Sequence, residues 1–211
     1  MLLRRTWFVA ASVWRSNRNM MRVKLTPESV SFAIAEGTEI FKNSRSINYR
    51  DTQQTKINNS LVGAFGQQVF IEGTGGHRVT VEECPSFAYD VKASNKAIHA
   101  YCGWTLPLQS DVARVEVKVR PVEGRSWISF NDQMFKHVTK CASAEMLDYV
   151  VFYGIQNIDL KNYEADVGLL GIISAKVLTL PDMRRPSLYT KGDSFLNKNR
   201  INERNLGHIF L

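Results

Sequence analysis

Residues 112–120 read Val112, Ala113, Arg114, Val115, Glu116, Val117, Lys118, Val119, Arg120. Side chains on a strand point alternately to its two faces. A strand over 113–119 therefore puts Val115, Val117 and Val119 on one face and Glu116, Lys118 and Arg120 on the other. Upstream the period is helical. Thr26-Pro27-Glu28 reads as a helix start, with Thr26 as cap and Pro27 in the first turn. Val30, Phe32, Ala33, Ile34, Ile40 and Phe41 then predict a helix over 27–43. Residues 44–56 are polar and predict a loop. A second helix is predicted over 57–70, with Leu61, Val62, Phe65, Val69 and Phe70 at helical spacing. Gly63 and Gly66, three apart on it, predict close packing against a sheet.

Short β-rich runs follow at 77–82, 87–92, 97–104 and 113–119, with 126–130 as a further candidate. Residues 131–144 read as helix. The stretches 149–153 and 167–173 are continuous apolar runs, as in strands buried on both faces, and 174–178 follows directly. Helices, then a strand-rich centre, then buried strands predict a single α/β domain, a mixed central sheet flanked by helices. Repeats and low-complexity segments are absent.

The two ends differ from the middle. Residues 1–19 hold Arg4, Arg5, Arg15 and Arg18 and no acid, a basic extension ahead of a domain at 20–180. Its apolar run, 7–14, is too short to span a bilayer, which takes about 20 residues. A weak signal peptide, an Arg-rich transit peptide and a translation start at Met20 or Met21 stay open, with no cleaved export signal favoured. No membrane partner and a cytoplasmic or intracellular location are expected. From Pro181 onward Arg184, Arg185, Lys191, Lys198, Arg200 and Arg204 face Asp182, Asp193 and Glu203, and the chain ends in Ile209-Phe210-Leu211. This predicts a basic C-terminal arm over 181–211 whose last residues dock on the domain.

Composition narrows the choice of function. At 211 residues and 44% hydrophobic, the chain has material for a sizeable core and is not disordered. A net charge of +7 favours polyanionic partners. Cys84, Cys102 and Cys141 are odd in number and lack C-x-x-C spacing, and His77, His99, His137 and His208 are scattered, which argues against structural zinc and for reduced thiols. The glycine loop 73–76 lacks the Gly-Lys-Ser/Thr ending of a phosphate cradle and reads as a turn.

The strand with Glu116 and Lys118 carries the chemistry. A carboxylate and an ammonium side by side on a rigid strand, with a further acid nearby, suit a divalent metal beside a phosphate. Magnesium takes hard oxygen ligands and keeps several waters, so one or two carboxylates suffice. Lys118 can orient or help deprotonate the attacking water. Burial lowers its pKa and ion pairing raises it, and the balance decides its role. Two residues compete as the second acid. Asp111 precedes Glu116 by five residues, an odd spacing that puts the two on opposite faces of a straight strand and requires a turn or bulge within 112–114. Asp90 sits on an earlier predicted strand, from which it reaches Glu116 across the sheet.

An acid followed by Glu116-Val117-Lys118 resembles the PD-(D/E)xK nuclease superfamily, the core shared by many restriction endonucleases. A helix carrying Gly63-Ala64-Phe65-Gly66-Gln67-Gln68 precedes the strands, Gln133 follows in a helix start, and Asp148-Tyr149-Val150-Val151-Phe152 looks like the later core strand. The resemblance covers about residues 30–180, with the acid, Glu116 and Lys118 as its specific part. It implies a restriction-endonuclease-like fold and a magnesium-dependent deoxyribonuclease, with manganese as substitute metal. Asp90, or Asp111, would hold the metal with Glu116, and Lys118 would activate water. The family's first acid usually lies on the strand before the Glu-x-Lys strand, which favours Asp90; Tyr89 replaces the family's variable proline. Asp90-Val91-Lys92 as the acid-x-Lys element itself ranks lower. Where the family often has a helix acid, Gln67 or Gln68 stands instead, which favours one metal over two. DNA is the expected partner, with Arg114, Arg120, Arg125, Lys136 and Lys140 as phosphate contacts. A homodimer is compatible with the sequence. The alternative is a catalytically inactive nucleic-acid-binding protein on the same fold.

Overall fold

The alternating segment forms β4 (Val112–Pro121), a ten-residue strand inside a mixed sheet. In this computed structural model, residues 20–43, 52–80, 82–84, 88–121, 129–130, 132–186 and 194–210 are described. The extension 1–19, Arg125, Lys191 and the start of the predicted strand 126–130 lie outside them. The sheet also contains β1 (Met21–Lys24), β2 (His77–Arg78), β3 (Val91–Ser94), β6 (Tyr149–Asp159) and β7 (Glu164–Ser174). Their order is β1-β7-β6-β4-β3-β2, and β10 (Gly207–Ile209) also pairs with β7. Strand β4 runs parallel to β6 and antiparallel to β3. A parallel pair needs a crossover, and the chain between them carries the helix α4 (Asp132–Ser143). A small second sheet joins β5 (Ser129–Phe130), β8 (Arg184–Pro186) and β9 (Ser194–Leu196).

Alternation divides the interior into two cores. Val115, Val117, Val119, Val151 and Tyr153 pack with Phe65 and Phe70 of helix α2 (Gln53–Thr74) and Ile98 of helix α3 (Asn95–Cys102). Val150 and Phe152 face the other way, onto Val138, Cys141 and Ala142 of α4 and Leu178 of a 3-10 turn (Ala175–Thr179). Helix α1 (Pro27–Asn43) packs on α2. Gly66 fulfils the close-packing expectation, because a Cβ there would lie 2.5 Å from Val119 Cγ2. Gly63 does not, having nothing within 4 Å.

Several expected elements change. Helix α2 begins at Gln53, inside the expected loop, because Thr52 caps it by accepting the Thr55 N–H at 3.1 Å. The expected strand 97–104 is α3: Ser94 accepts the Ala97 N–H at 3.1 Å, and Gly103 closes the helix at φ 72°. The expected strand 77–82 shortens to the two residues of β2. The strand expected over 87–92 forms at 91–94, so Asp90 stands just before it. The run 174–178 is a 3-10 turn rather than a strand.

The last residues of the segment from Pro181 dock on the domain as expected, and the burial extends further back along its described residues. Met183, Leu196, Ile201 and Ile209 are buried in the second core, and Ile209 belongs to the edge strand β10. Helix α5 (Lys198–Glu203) directs Arg200 at Asp182, 2.9 Å away, with Arg204 on the same carboxylate at 3.0 Å. No helix among the described residues is long and apolar enough to cross a membrane.

Candidate functional site

Backbone pairing holds Asp90 beside Glu116. Its N–H donates to Val115 O at 3.0 Å on β4, and its C=O accepts the Val79 N–H at 2.9 Å. Its side chain turns back over β4, where Oδ2 accepts the Val117 N–H at 2.8 Å. The acid is thus seated beside the Glu116–Lys118 pair and acts electrostatically on both. Glu116 is only 3% exposed, Lys118 forms an ion pair with its Oε1, and Oε2 has no hydrogen-bond partner. Buried carboxylate oxygens ordinarily find donors, so this atom lies where a cation would fit.

The electrostatics follow from this crowding. Burial, then repulsion from Asp90, pushes the Glu116 carboxyl up to about 8, while the Lys118 ammonium pulls it down. Burial disfavours the charged Lys118, yet Glu116 and Asp90 together outweigh burial and hold it above its ordinary value. Without a metal, Lys118 is therefore a fixed cation at neutral pH, a donor rather than a proton acceptor.

The sequence reading missed a third acid. Glu36, on α1, is held above the usual carboxylate range by burial first and by Asp90 second, while Ser60, Arg78 and Lys118 act in the other direction. A helix acid therefore does stand beside the site, one helix earlier than where it was sought. Its signal was legible: Glu36 falls between Ala33 and Gly37 on the buried stripe of α1, where a carboxylate is out of place.

The two glutamines separate. Gln67 borders the same space, and its Oε1 accepts from Arg78 Nε at 3.0 Å. Gln68 is a staple between elements: its Oε1 accepts the Thr26 N–H at 2.9 Å and its Nε2 donates to Lys24 O at 3.0 Å.

Asp111 does not join the cluster. It is exposed, the register across 112–115 is unbroken, and no bulge turns it toward Glu116. Lys92 is committed to Glu83 at 3.5 Å, which disfavours Asp90-Val91-Lys92 as the acid-x-Lys element. Arg114 does not project as a phosphate contact, because Asp148 takes its Nε and Nη2, both at 2.9 Å, and ties β4 to the start of β6. Lys136 and Lys140 lie exposed on α4. The side chain of Gln133 is outside the described residues.

Asp90 and Glu116, with Glu36 near them, are the residues that would hold a divalent metal, and the partnerless Oε2 fits that use. Among the described residues no three His, Cys, Asp or Glu side chains already stand in ligand geometry. Comparison with protein-family models, curated proteins and solved structures finds no match in any of the three.

Proposed function

We propose that this chain is a metal-dependent endonuclease that hydrolyses DNA phosphodiester bonds on a restriction-endonuclease-like core. The observation that carries the reading is the seat of Asp90: its hydrogen bond to the Val117 N–H brings a second carboxylate beside the Glu116–Lys118 ion pair. A helix-borne Glu36 beside the two acids, and a mixed sheet flanked by helices around β4, support the reading.

When bound, magnesium would supply positive charge to the non-bridging phosphate oxygens and a more acidic water. The protein's residues do the rest. Asp90 and Glu116 bind through oxygens whose mutual repulsion is relieved by a cation. Lys118, about a quarter exposed, donates to the attacking water or the phosphate and offsets charge that develops in the transition state. Glu36 orients water from the α1 side.

Purified Glu116→Ala and Lys118→Ala variants, checked for folding by circular dichroism, are expected to lose magnesium-dependent cleavage of plasmid and oligonucleotide DNA. Undiminished cleavage by both removes the assignment. The lack of a ready three-ligand cluster among the described residues favours a second reading, a non-catalytic DNA-binding protein on the same core. Salt-sensitive DNA binding without cleavage in magnesium or manganese would select it.

A further inference from the structure

Asp90 and Glu36 form one wall of a cavity of about 570 Å³ that runs from the acid cluster out along α1. That volume is within the roughly 300–1,000 Å³ of small-ligand sites. Its other walls are mostly apolar: Phe32 and Ile40 from α1, Val79 after β2, and Tyr89 next to Asp90. The charge in it is wrong for a phosphate. Among the described lining residues, Glu36, Glu39 and Asp90 oppose one cation, Arg78. Arg78 is already engaged, by Gln67 at 3.0 Å and by the Phe32 ring, with its guanidinium carbon 4.5 Å from the ring centroid. A neutral, flat, partly polar group suits the space. Aromatic side chains stack any base, and Glu39 and Thr80 offer polar atoms to a base edge. Asp90 belongs to both the cavity wall and the acid cluster, so a group held here lies next to the phosphate at which the attacking water would act.

We propose that the cavity receives one unpaired nucleobase of the substrate strand, next to the phosphate to be cut. The inference rests on the nuclease reading above and deepens it: the substrate is a single strand, or a duplex from which one base is extruded. A stacked, paired base cannot enter a pocket flanking its own backbone, so extrusion must precede binding.

The test uses the full chain and oligonucleotides carrying 2-aminopurine at successive positions, in calcium, with magnesium added afterwards. One position is expected to change its emission on binding. Response in the single strand alone identifies an already unpaired strand as the source of the base, and response in the duplex as well identifies extrusion. An abasic nucleotide at that position is expected to weaken binding roughly tenfold, the worth of one lost base stack. Ile40→Trp, which fills the cavity from a 41% exposed position, should do the same on an intact strand. Uniform emission at every position, with unchanged affinity for the abasic strand, overturns the pocket. Magnesium-dependent cleavage of the same strands would then leave the nuclease reading standing. A position-specific response without any cleavage keeps the pocket and removes the nuclease reading.

Discussion

Glu116 is an unfavourable residue in the metal-free fold, and that cost is measurable. Its carboxyl titrates near 8 in the folded chain, against an ordinary 4.5. Between these values the folded chain keeps a proton that the unfolded chain has released. The resulting stability is fully present below about 4.5 and is lost as pH rises through about 8. Glu116→Gln removes the titration, and Asp90 remains to face Lys118. The metal-free variant is therefore expected to melt above wild type at pH 8 and to approach it at pH 5, as read by differential scanning fluorimetry. Magnesium should raise the wild-type melting temperature at pH 8 and leave the variant unmoved, since binding to the folded state alone stabilises it. Glu36→Gln tests the acid that sequence reasoning overlooked. Cleavage is expected to fall roughly 10–100-fold, as for residues that tune a metal site from its periphery, with the melting temperature at or above wild type. Glu116 and Lys118 were legible as neighbours because strand alternation is a local rule, and Asp90 was preferred over Asp111 through the resemblance rather than through any local period. The inward position of Glu36 was legible in the period of α1, but its meeting with Asp90 was not, because that depends on how α1 packs over α2 and the sheet.

At the scale of elements, α2 offers a matched pair of substitutions. Gly66 meets β4 and β6 so closely that an added methyl would lie 2.5 Å from Val119 Cγ2 and 3.1 Å from Tyr153 Cδ2. Gly66→Ala must push the helix off the strand that carries Glu116 and Lys118, and overpacking of this kind costs about 1–3 kcal/mol. Gly63 has open space around its would-be Cβ and ordinary helical backbone. Gly63→Ala should therefore stabilise by about 0.5–1 kcal/mol. Urea denaturation of the two variants is expected to move the midpoint in opposite directions. The sequence showed two glycines three apart but not which one faces the sheet. Helix α3 was misread for a related reason. Ala97, Ile98, Ala100, Tyr101 and Cys102 satisfy either period over so short a run. The deciding signals were its ends, the Ser94 cap and the left-handed Gly103. The buried strands β6 and β7 were legible because an apolar run of that length, rich in β-branched residues, has few other places to go.

For the whole molecule, the most consequential difference from the sequence reading lies after residue 180. Charge made that segment look like an arm, since basic side chains dominate its composition. The apolar residues between them decide its fate. Met183, Leu196, Ile201 and Ile209 are each no more than 3% exposed, and β10 supplies part of the outer edge of β7 through Gly207↔Ile173 and Ile209↔Gly171. Gly207 permits that pairing, because a Cβ there would lie 2.7 Å from Ile172 O. Burying each such side chain is worth about 1.5–3 kcal/mol. Four of them together rival the about 5–15 kcal/mol by which a domain is stable. A chain ending at Leu180 is therefore expected to lose cooperative unfolding, with exposed core on the α4 side of the sheet, where Val150 and Phe152 flank the strand bearing Glu116 and Lys118. Trimming only the last strand, by ending at Leu206, should leave a folded chain of lower stability, because, of the four, only Ile209 is lost, together with the packing of Phe210 and the β7 edge. Urea midpoints and amide exchange at Gly171 and Ile173 read both outcomes. A cooperative, fully stable 1–180 fragment would show instead that the segment after 180 only docks on a domain complete without it.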